Sequence, residues 1–368
     1  MRTAILTLVS CGALMAASLT TGMTTGRLHL QSAGALAFGP EGILFIGDSL
    51  GAAVIAVDTH DTVPVALSGA VRIEAIDNRI AALLGTDRRE ILIEDVKVNP
   101  ISKNIYISVL RGRGPDALPV ILKADASGTL SEVALDNVPY SSVPLPNVPK
   151  SRPEVGSRNP RLETITQMAY VEDGDAGATT VGRVLVAGLS NEEFASNLRS
   201  IPFPFTAEAR GTSVEIFHGS HGQFETKAPV RTFVPWTING ETNIIAAYTC
   251  TPLVTIPLKD LKPGAKVTGR TIAELGAGNR PLDMITYRRD GHDFILMANS
   301  YRGVMKLPAE NLDSYKPITE AVVIEGVEAE RITALHHVRR LAKLDEANAL
   351  ILTDGAGFTS DLRSVPLP

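Results

Sequence analysis

The polar residues of this chain that could do chemistry lie at the ends of short apolar runs. Asp48 ends ILFIGD, Asn299 follows FILMA, and Asp354 ends ALILTD. Carboxylate and amide oxygens are the ligands that Ca²⁺ takes, about six to eight at a time. Arg280, just before a further apolar run, could bind a carboxylate through two parallel hydrogen bonds. We therefore predict a site for a small ligand or a cation. Its candidate residues are Asp48, Glu163, Asn191, Glu192, Asn279, Arg280, Asp283, Asn299, Arg302 and Asp354, of which Asp283, Asp354, Asp48 and Asn299 are the candidate calcium ligands.

A second group of reactive residue types is predicted to be structural. His218 and His221 in FHGSHGQF could bind a metal through neighbouring imidazoles, but no third ligand follows at a zinc-site spacing. Their glycines and flanking phenylalanines indicate a turn between packed strands. Cys250 in AAYTCTPLV is expected to be a small buried hydrophobic residue. Segment 172–177, EDGDAG, resembles a calcium loop but lacks the later carboxylate, so it is predicted to form a turn.

One ten-residue phrase occurs twice and indicates the architecture. FASNLRSIPF at 194–203 returns as FTSDLRSVPL at 358–367, and each copy follows an apolar run that is typical of a strand. Such internal repetition is typical of supersecondary units that must stack on their neighbours to bury their apolar faces. The repeat therefore predicts a closed ring of similar β-sheets.

Six segments share the order of apolar strand, tight turn, second apolar strand and third strand. We predict an all-β, six-bladed β-propeller whose ring is closed by the N-terminal strand at 27–31, as a single domain over 27–368. A seventh blade in 61–94 or 204–232, or a β-sandwich, remains open. Five prolines predict a long loop at 140–163. The six segments are 35–58, 95–125, 165–203, 231–261, 281–312 and 331–367.

Propeller geometry would bring the candidate residues together. The start of each innermost strand and the loop after each second strand emerge on one face, around the central channel. Convergent polar groups over an apolar channel are what a small-ligand site requires. The alternative is that these side chains cap strand ends and satisfy backbone groups of loops.

Composition and the N-terminal sequence indicate where the protein is located and which partners it binds. The formal net charge is −5 with mixed signs and no basic tract, so nucleic acid is not an expected partner. Arg2 and the apolar run 4–19 predict a signal peptide over 1–18, with cleavage possible as late as 25. No later run reaches the ~20 apolar residues of a membrane span. We expect a periplasmic or secreted protein, with lipid anchoring through Cys11 as an alternative.

The stretch AFGPEGILFIGDSLGAAVIAVD at 37–58 resembles the strand–turn–strand unit of NHL-repeat and SMP-30/gluconolactonase-like propellers, and KVNPISKNIYISV at 97–109 repeats the theme. The resemblance implies a propeller. It also implies a divalent cation at the channel mouth, held in SMP-30-like enzymes by a Glu, Asn side chains and an Asp. The full ligand set is not matched here.

Three functions are compatible with these patterns. The first hypothesis is a secreted propeller that binds a small molecule, a cation or another exported protein at its channel mouth, without catalysis. The alternative is a calcium-dependent lactonase or esterase-type hydrolase, and a more distant one is a quinone-dependent oxidoreductase. No CxxCH motif is present, which excludes covalent haem, and calcium is the one cofactor expected.

Overall fold

The computed structural model describes residues 19–67, 69–152, 159–173 and 181–368, so the predicted signal peptide and most of EDGDAG lie outside the described residues. The described chain is built almost entirely of strands, with one α-helix, α1 (Ile76–Leu84). Short 3-10 turns lie at Pro40–Gly42, Arg88–Glu90, Gly114–Asp116, Pro160–Glu163, Gly219–His221, Leu258–Asp260 and Ala356–Phe358. The strands are β1 (Thr24–Gly26), β2 (Leu36–Phe38), β3 (Ile43–Asp48), β4 (Ala53–Asp58), β5 (Arg72–Ile73), β6 (Ile91–Val98), β7 (Ile105–Arg111), β8 (Leu118–Ala124), β9 (Leu130–Glu132), β10 (Val138–Pro144), β11 (Gln167–Glu172), β12 (Gly182–Leu189), β13 (Ser196–Phe203), β14 (Thr212–His218), β15 (Gln223–Glu225), β16 (Thr232–Ile238), β17 (Glu241–Ala247), β18 (Pro252–Pro257), β19 (Lys266–Leu275), β20 (Pro281–Arg289), β21 (His292–Asn299), β22 (Gly303–Pro308), β23 (Ile324–Gly326), β24 (Glu330–Ile332), β25 (Val338–Lys343), β26 (Asn348–Asp354) and β27 (Ser360–Pro366).

The strands pair into antiparallel four-stranded units. Unit 1 is β2-β3-β4-β10, with β1 added at its outer edge, and unit 2 is β6-β7-β8-β9. Unit 3 (β11 to β14) and unit 4 (β16 to β19) join through a parallel pairing of their outer strands, β14 and β19, and so form one ten-stranded sheet with β15 and β23. Unit 5 is β20-β21-β22-β24, and unit 6 is β25-β26-β27-β5.

Hydrophobic clusters between the units show how they are arranged. Each of six clusters draws its residues from two units, in the pairs 1–2, 1–3, 3–4, 4–5, 5–6 and 6–2. On β12, Val184 and Val186 face unit 1 while Leu185 and Ala187 face unit 4, because side chains alternate along a strand. The pairs close into a cycle, and the fold is a β-propeller. We interpret the six units as its blades.

The order of the units around the ring differs from their order in the sequence. Unit 1 lies between units 2 and 3, and unit 2 lies between units 6 and 1, as the cluster pairs require. The chain starts in unit 1, crosses to the edge of unit 6 at β5, builds unit 2, and returns to unit 1 at β10. The N-terminal part of the chain thus contributes strands to both unit 1 and unit 6.

Two predictions about elements need correction. The ring-closing strand is β5, not 27–31: Ile73 and Arg72 pair with Leu362 and Arg363 of β27. An N-terminal part of the chain closes unit 6, as expected. That part is β5, which leads into α1, and the apolar face of α1 packs in the core shared by units 6 and 2. The predicted loop 140–163 begins inside a strand, because β10 pairs with β4 and β1 at the outer edge of unit 1.

The repeated phrase occupies equivalent places. β13 and β27 are the third strands of units 3 and 6, and Arg199 and Arg363 of the two copies stand opposite Val186 and Ile351 of the second strands. The equivalence predicted from the sequence is confirmed. Among the described residues, the one α-helix is far too short to span a membrane.

Candidate functional site

A cavity of about 890 Å³ lies where the innermost strands begin, at one mouth of the channel. Residues within or next to β2, β6, β11, β16, β20 and β25 line it, as the propeller geometry predicted for the site. Its walls include leucines, prolines and Ile165. The charged residues of this lining are six arginines and three carboxylates, namely Arg113, Arg152, Arg161, Arg231, Arg280 and Arg340 with Glu94, Asp95 and Glu163.

Arg161 is the most informative residue of this cavity. It lies in the 3-10 turn Pro160–Glu163, and Asn159 caps that turn by accepting a hydrogen bond from Arg161 N at 3.1 Å. The Nε and Nη1 atoms of Arg161 are buried, and the described residues offer them no acceptor. A buried charged donor without a partner is costly, by about 1–3 kcal/mol or more. An anionic ligand in the cavity would supply the missing acceptors.

Two further arginines are held in place by neutral acceptors. Arg113 Nε donates to the Arg89 carbonyl oxygen at 2.7 Å, and Arg340 Nε donates to the Glu94 carbonyl oxygen at 2.7 Å. Carbonyl groups orient a guanidinium without cancelling its charge. Arg340 Nε also lies 3.9 Å from Asp95 Oδ1, so a carboxylate offsets part of its charge.

Arg231 is paired with a carboxylate. Its Nη1 lies 2.7 Å from Glu163 Oε1, and its Nε donates to Thr249 Oγ1 at 3.1 Å. The pair joins the start of the innermost strand of unit 4 to the turn before β11. The pair fixes Glu163 at the rim of the cavity. Because it removes one charge of each sign, the excess of arginines over carboxylates at the mouth is unchanged.

Asp95 and Asp283 play one structural role in two units. Asp95 Oδ2 accepts from Leu36 N of β2 at 2.8 Å, and Asp283 Oδ2 accepts from Leu341 N of β25 at 3.0 Å. Each carboxylate thus bridges two neighbouring innermost strands next to an irregularity in its own strand. Lys97 Nζ lies between them, 3.0 Å from Asp95 Oδ1 and 3.6 Å from Asp283 Oδ2. Burial disfavours the charged lysine, but the two carboxylates outweigh it and raise the pKa of Lys97.

Glu94 is a carboxylate of the cavity whose pKa is altered by its surroundings. Burial raises the pKa of Glu94, Arg340 opposes that rise, and the neighbouring Asp95 adds to it. A carboxyl group with a raised pKa can exchange a proton closer to neutral pH than an ordinary glutamate. Glu94 is therefore the residue of this cavity best suited to proton transfer.

The structure places only two of the ten predicted site residues, Glu163 and Arg280, on the cavity wall. Asp283 lies behind the wall in the bridge to β25. Asp48 is buried and accepts hydrogen bonds from Gln31 N, Ser32 N and Gly51 N, so it caps backbone groups at the end of β3.

The other predicted residues also serve loops. Asn279 Nδ2 donates to Asn299 Oδ1 at 2.9 Å, and both amides are buried in the connection between β19 and β20 and the end of β21. Glu192 accepts from Asn147 Nδ2, close to Asn191. Asp354 is exposed, and its Oδ1 lies 3.0 Å from Arg339 Nε.

Arg302 packs against Gly276, and its Nε is a buried donor without an acceptor among the described residues. Asp48, Asp283 and Asp354 belong to no group of three convergent His, Cys, Asp or Glu ligands in the described part of the chain. The four candidate calcium ligands are therefore bound to separate partners and do not form one site. The alternative interpretation, that such residues cap strands, describes Asp48, Asn279 and Asn299.

The sequence patterns did not single out most of the arginines. The prediction favoured carboxylates and amides because these groups bind cations. Of the six arginines that line the cavity, only Arg280 is among the ten candidate site residues. A usable signal was present: Arg231 directly precedes an innermost strand, Arg340 lies within one, and Arg113 follows a second strand. Those are the positions from which the geometry predicted a channel mouth.

Solved structures that are similar to this chain include sugar dehydrogenases. A glucose dehydrogenase is similar at 13% identity and a TM-score of 0.38, over 94% of this chain and 100% of that one. A PQQ-bound aldose sugar dehydrogenase from Streptomyces coelicolor is similar at 11% identity and a TM-score of 0.31, over 94% and 98%. The soluble aldose sugar dehydrogenase from Escherichia coli is similar at 14% identity and a TM-score of 0.32, over 94% of this chain and 100% of that one. No protein-family model and no curated protein matches the chain.

The first functional hypothesis is corrected by this finding. The sequence favoured a propeller that binds without catalysis, whereas the similar chains are named as oxidoreductases. At 11–14% identity and TM-scores of 0.31–0.38 the likeness decides neither substrate nor cofactor, which must be argued from the cavity itself.

Proposed function

We propose that the channel mouth binds a small organic molecule with several carboxylates, and that the protein is an oxidoreductase with a quinone of this kind as its cofactor. The observation that carries the proposal is Arg161, whose buried Nε and Nη1 have no acceptor among the described residues, in a cavity with twice as many arginines as carboxylates. Arginine binds carboxylates through two parallel hydrogen bonds and is favoured where such recognition matters.

The residues present fit a planar polycarboxylate such as pyrroloquinoline quinone. Arg161, Arg113 and Arg340 offer donors to several carboxylates, and Leu92, Leu110, Leu162 and Leu282 offer apolar surface to flat rings. The volume of about 890 Å³ lies in the range of small-molecule sites, roughly 300–1,000 Å³.

When bound, such a quinone accepts two electrons from an alcohol carbon. The arginines would fix its carboxylates and hold it in one orientation. Glu94, whose pKa burial raises, would take the proton from the substrate hydroxyl. The described lining holds no histidine, so a carboxylate is the base that this cavity can supply. Arg231 keeps Glu163 paired, which leaves Glu94 for this role.

The test measures ligand binding first and turnover second. Pyrroloquinoline quinone should raise the melting temperature of the full chain, benzene tricarboxylate should do so more weakly, and an uncharged quinone should not. Arg161→Gln should weaken binding of the tricarboxylate quinone about 10- to 100-fold, the value of one to two charged hydrogen bonds. Aldose-dependent reduction of a dye should appear with the quinone and be lost in Glu94→Gln.

The matched control is Arg72→Gln, which removes an exposed arginine that does not line the cavity. Equal binding by Arg161→Gln and Arg72→Gln would overturn the assignment of the cavity. Binding of the quinone without any turnover of alcohols would overturn the oxidoreductase.

Three predictions from the sequence stay predictions. Export through a signal peptide concerns residues outside the described part of the chain. Membership of the NHL and SMP-30-like superfamily rests on the segments 37–58 and 97–109. Calcium has no assigned ligands.

A further inference from the structure

A second cluster of reactive side chains lies apart from the cavity. His218, His221 and Cys250 each place one ligand atom within 4.8 Å of those of the other two. A tetrahedral ion with ordinary Zn–N and Zn–S bonds spaces its ligands about 3.3–3.8 Å apart. Small side-chain rotations therefore bring the three atoms to the spacing of one ion. None of the three residues lines the arginine-rich cavity.

The two histidines are brought together by a tight turn. His218 ends β14, the turn Gly219–His221 follows, and Gly222 adopts a φ of +64°, in the left-handed region that favours glycine. At Gly219 a Cβ would come within 2.8 Å of Glu274 Cγ, so the turn needs a glycine there. The imidazole rings end with their centroids 4.0 Å apart.

Glu225 on the returning strand β15 orients both rings. Its Oε2 lies 2.9 Å from His218 Nδ1, and its Oε1 lies 2.5 Å from His221 Nδ1. When each Nδ1 donates to the carboxylate, each Nε2 carries a free lone pair. A carboxylate that accepts from the far nitrogen is the usual outer partner of a metal-binding histidine.

His218 supplies an independent sign of a missing ligand. The residue is 3% exposed, and its Nε2 is buried without a hydrogen-bond partner among the described residues. Buried polar atoms are nearly always paired, so such an orphan needs an explanation. A bound cation would complete this nitrogen.

Cys250 reaches the cluster from the neighbouring unit. It lies between β17 and β18 of unit 4, while the histidines belong to unit 3. Cys250 N donates to Asn279 O at 2.7 Å, and Thr251 Oγ1 donates to Gly276 O at 2.8 Å, which fixes the turn. The sequence around the histidines showed no third ligand because this one lies about thirty residues further along the chain.

We propose that His218, His221 and Cys250 bind one transition-metal ion through two imidazole Nε2 atoms and a thiolate, with Glu225 as the outer partner of both imidazoles. Two nitrogens and one sulfur suit zinc or copper, whereas calcium and magnesium take oxygen ligands. With three protein ligands, a fourth position is left for water or another small ligand. An ion here would join units 3 and 4 at the face where their outer strands already pair.

The experiment uses the full chain after chelator treatment, with Co²⁺ as the optical probe. We expect one equivalent to bind, with a thiolate-to-cobalt absorption band and the visible bands of tetrahedral cobalt, and Zn²⁺ should displace it. Cys250→Ser should abolish the thiolate band. His221→Ala, on an exposed side chain, should weaken binding at least tenfold, and Glu225→Gln should weaken it about 10- to 100-fold.

The matched control is His292→Ala, since His292 is another exposed histidine beside a carboxylate, 3.3 Å from Glu310. It should bind cobalt as the unchanged chain does. Because Cu²⁺ binds more tightly than Zn²⁺ at most nitrogen and sulfur sites, relative affinity does not assign the ion, and elemental analysis of the chain as isolated does.

The proposal is overturned if less than one equivalent binds to chain shown to be folded by circular dichroism. It is also overturned if His221→Ala and Cys250→Ser bind as tightly as His292→Ala. Metal binding needs no turnover, so failure here and failure of the quinone proposal are separate results.

Discussion

At the scale of single residues, the same side-chain types do different work according to what surrounds them. Asp283 and Asp354 both looked like cation ligands in the sequence. Asp283 is 1% exposed and bridges two innermost strands, whereas Asp354 is an exposed partner of Arg339. Burial and the number of donors facing a carboxylate decide its role, and neither can be read from residue type.

Asp283→Ala tests the bridge between β20 and β25. Loss of the carboxylate leaves Leu341 N without its acceptor and removes one of the two anions that face Lys97. We expect the free energy of unfolding to fall by about 3 kcal/mol, the lower end for a broken buried ion pair, because Asp95 still pairs with Lys97. Urea unfolding measures it. Asp354→Ala should change it by less than about 0.5 kcal/mol, and equal losses would contradict the bridge.

Glu94→Gln tests the raised pKa of this carboxyl group through stability. Because burial raises the pKa of Glu94 in the folded state, the folded chain holds this proton more tightly than the unfolded chain. The contribution is present below the ordinary pKa of 4.5 and is lost as pH rises through the raised value. Glu94→Gln should therefore lose less stability than the unchanged chain as the pH rises from about 4.5 to about 8. Denaturant unfolding at several pH values measures this, and parallel curves would contradict it.

At the scale of elements, a two-residue strand and a short helix decide how the ring closes. β5 supplies the outer strand of unit 6, and α1 follows it at once. The helix is attached to the start of β27, since Ala75 N donates to Asp361 Oδ1 at 2.8 Å and Asp77 Oδ1 accepts from Ser360 N at 3.1 Å. A strand of this length carries almost no periodicity, so sequence patterns favoured the longer 27–31.

Ile73→Ala tests the closing strand. Ile73 is 1% exposed and packs in the core shared by units 6 and 2. Its truncation should cost about 2–5 kcal/mol, as for other buried isoleucines. Thermal and urea unfolding measure the loss. Leu83→Ala, at a half-exposed position of α1, should cost much less, and similar losses from both would show that β5 does not hold the ring.

At the scale of the whole molecule, units 1 and 6 are each built from segments that lie far apart in the chain. Unit 1 is completed by β10 and unit 6 by β5, so no unit at the junction of the two termini is built from one continuous segment. The same closure creates the channel mouth, where Arg231 next to unit 4, Arg340 of unit 6 and Arg113 next to unit 2 line one cavity. The chain carries a formal net charge of −5, yet its mouth is basic.

A disulfide between positions 72 and 363 tests this closure. The two residues are direct partners in the antiparallel pair of β5 and β27, a geometry within reach of a disulfide. Arg72→Cys with Arg363→Cys should raise the melting temperature by several degrees under oxidising conditions, with an upper limit of about 5 kcal/mol for so long a loop. The gain should vanish on reduction and be absent in Arg72→Cys alone. No gain in the oxidised double variant would contradict the pairing.

The sequence by itself determined the repeating β-architecture, because apolar runs and the copies at 194–203 and 358–367 depend only on local patterns and internal comparison. It also predicted where a site should open, since strand order alone sends certain loops to the channel mouth. Only the tertiary structure decided which side chains meet there. The Arg161 donors are buried, and Cys250 lies beside His218 and His221, because of contacts between segments far apart in the chain. Such contacts depend on the order of units around the ring, and that order is set by packing between sheets rather than by any single segment.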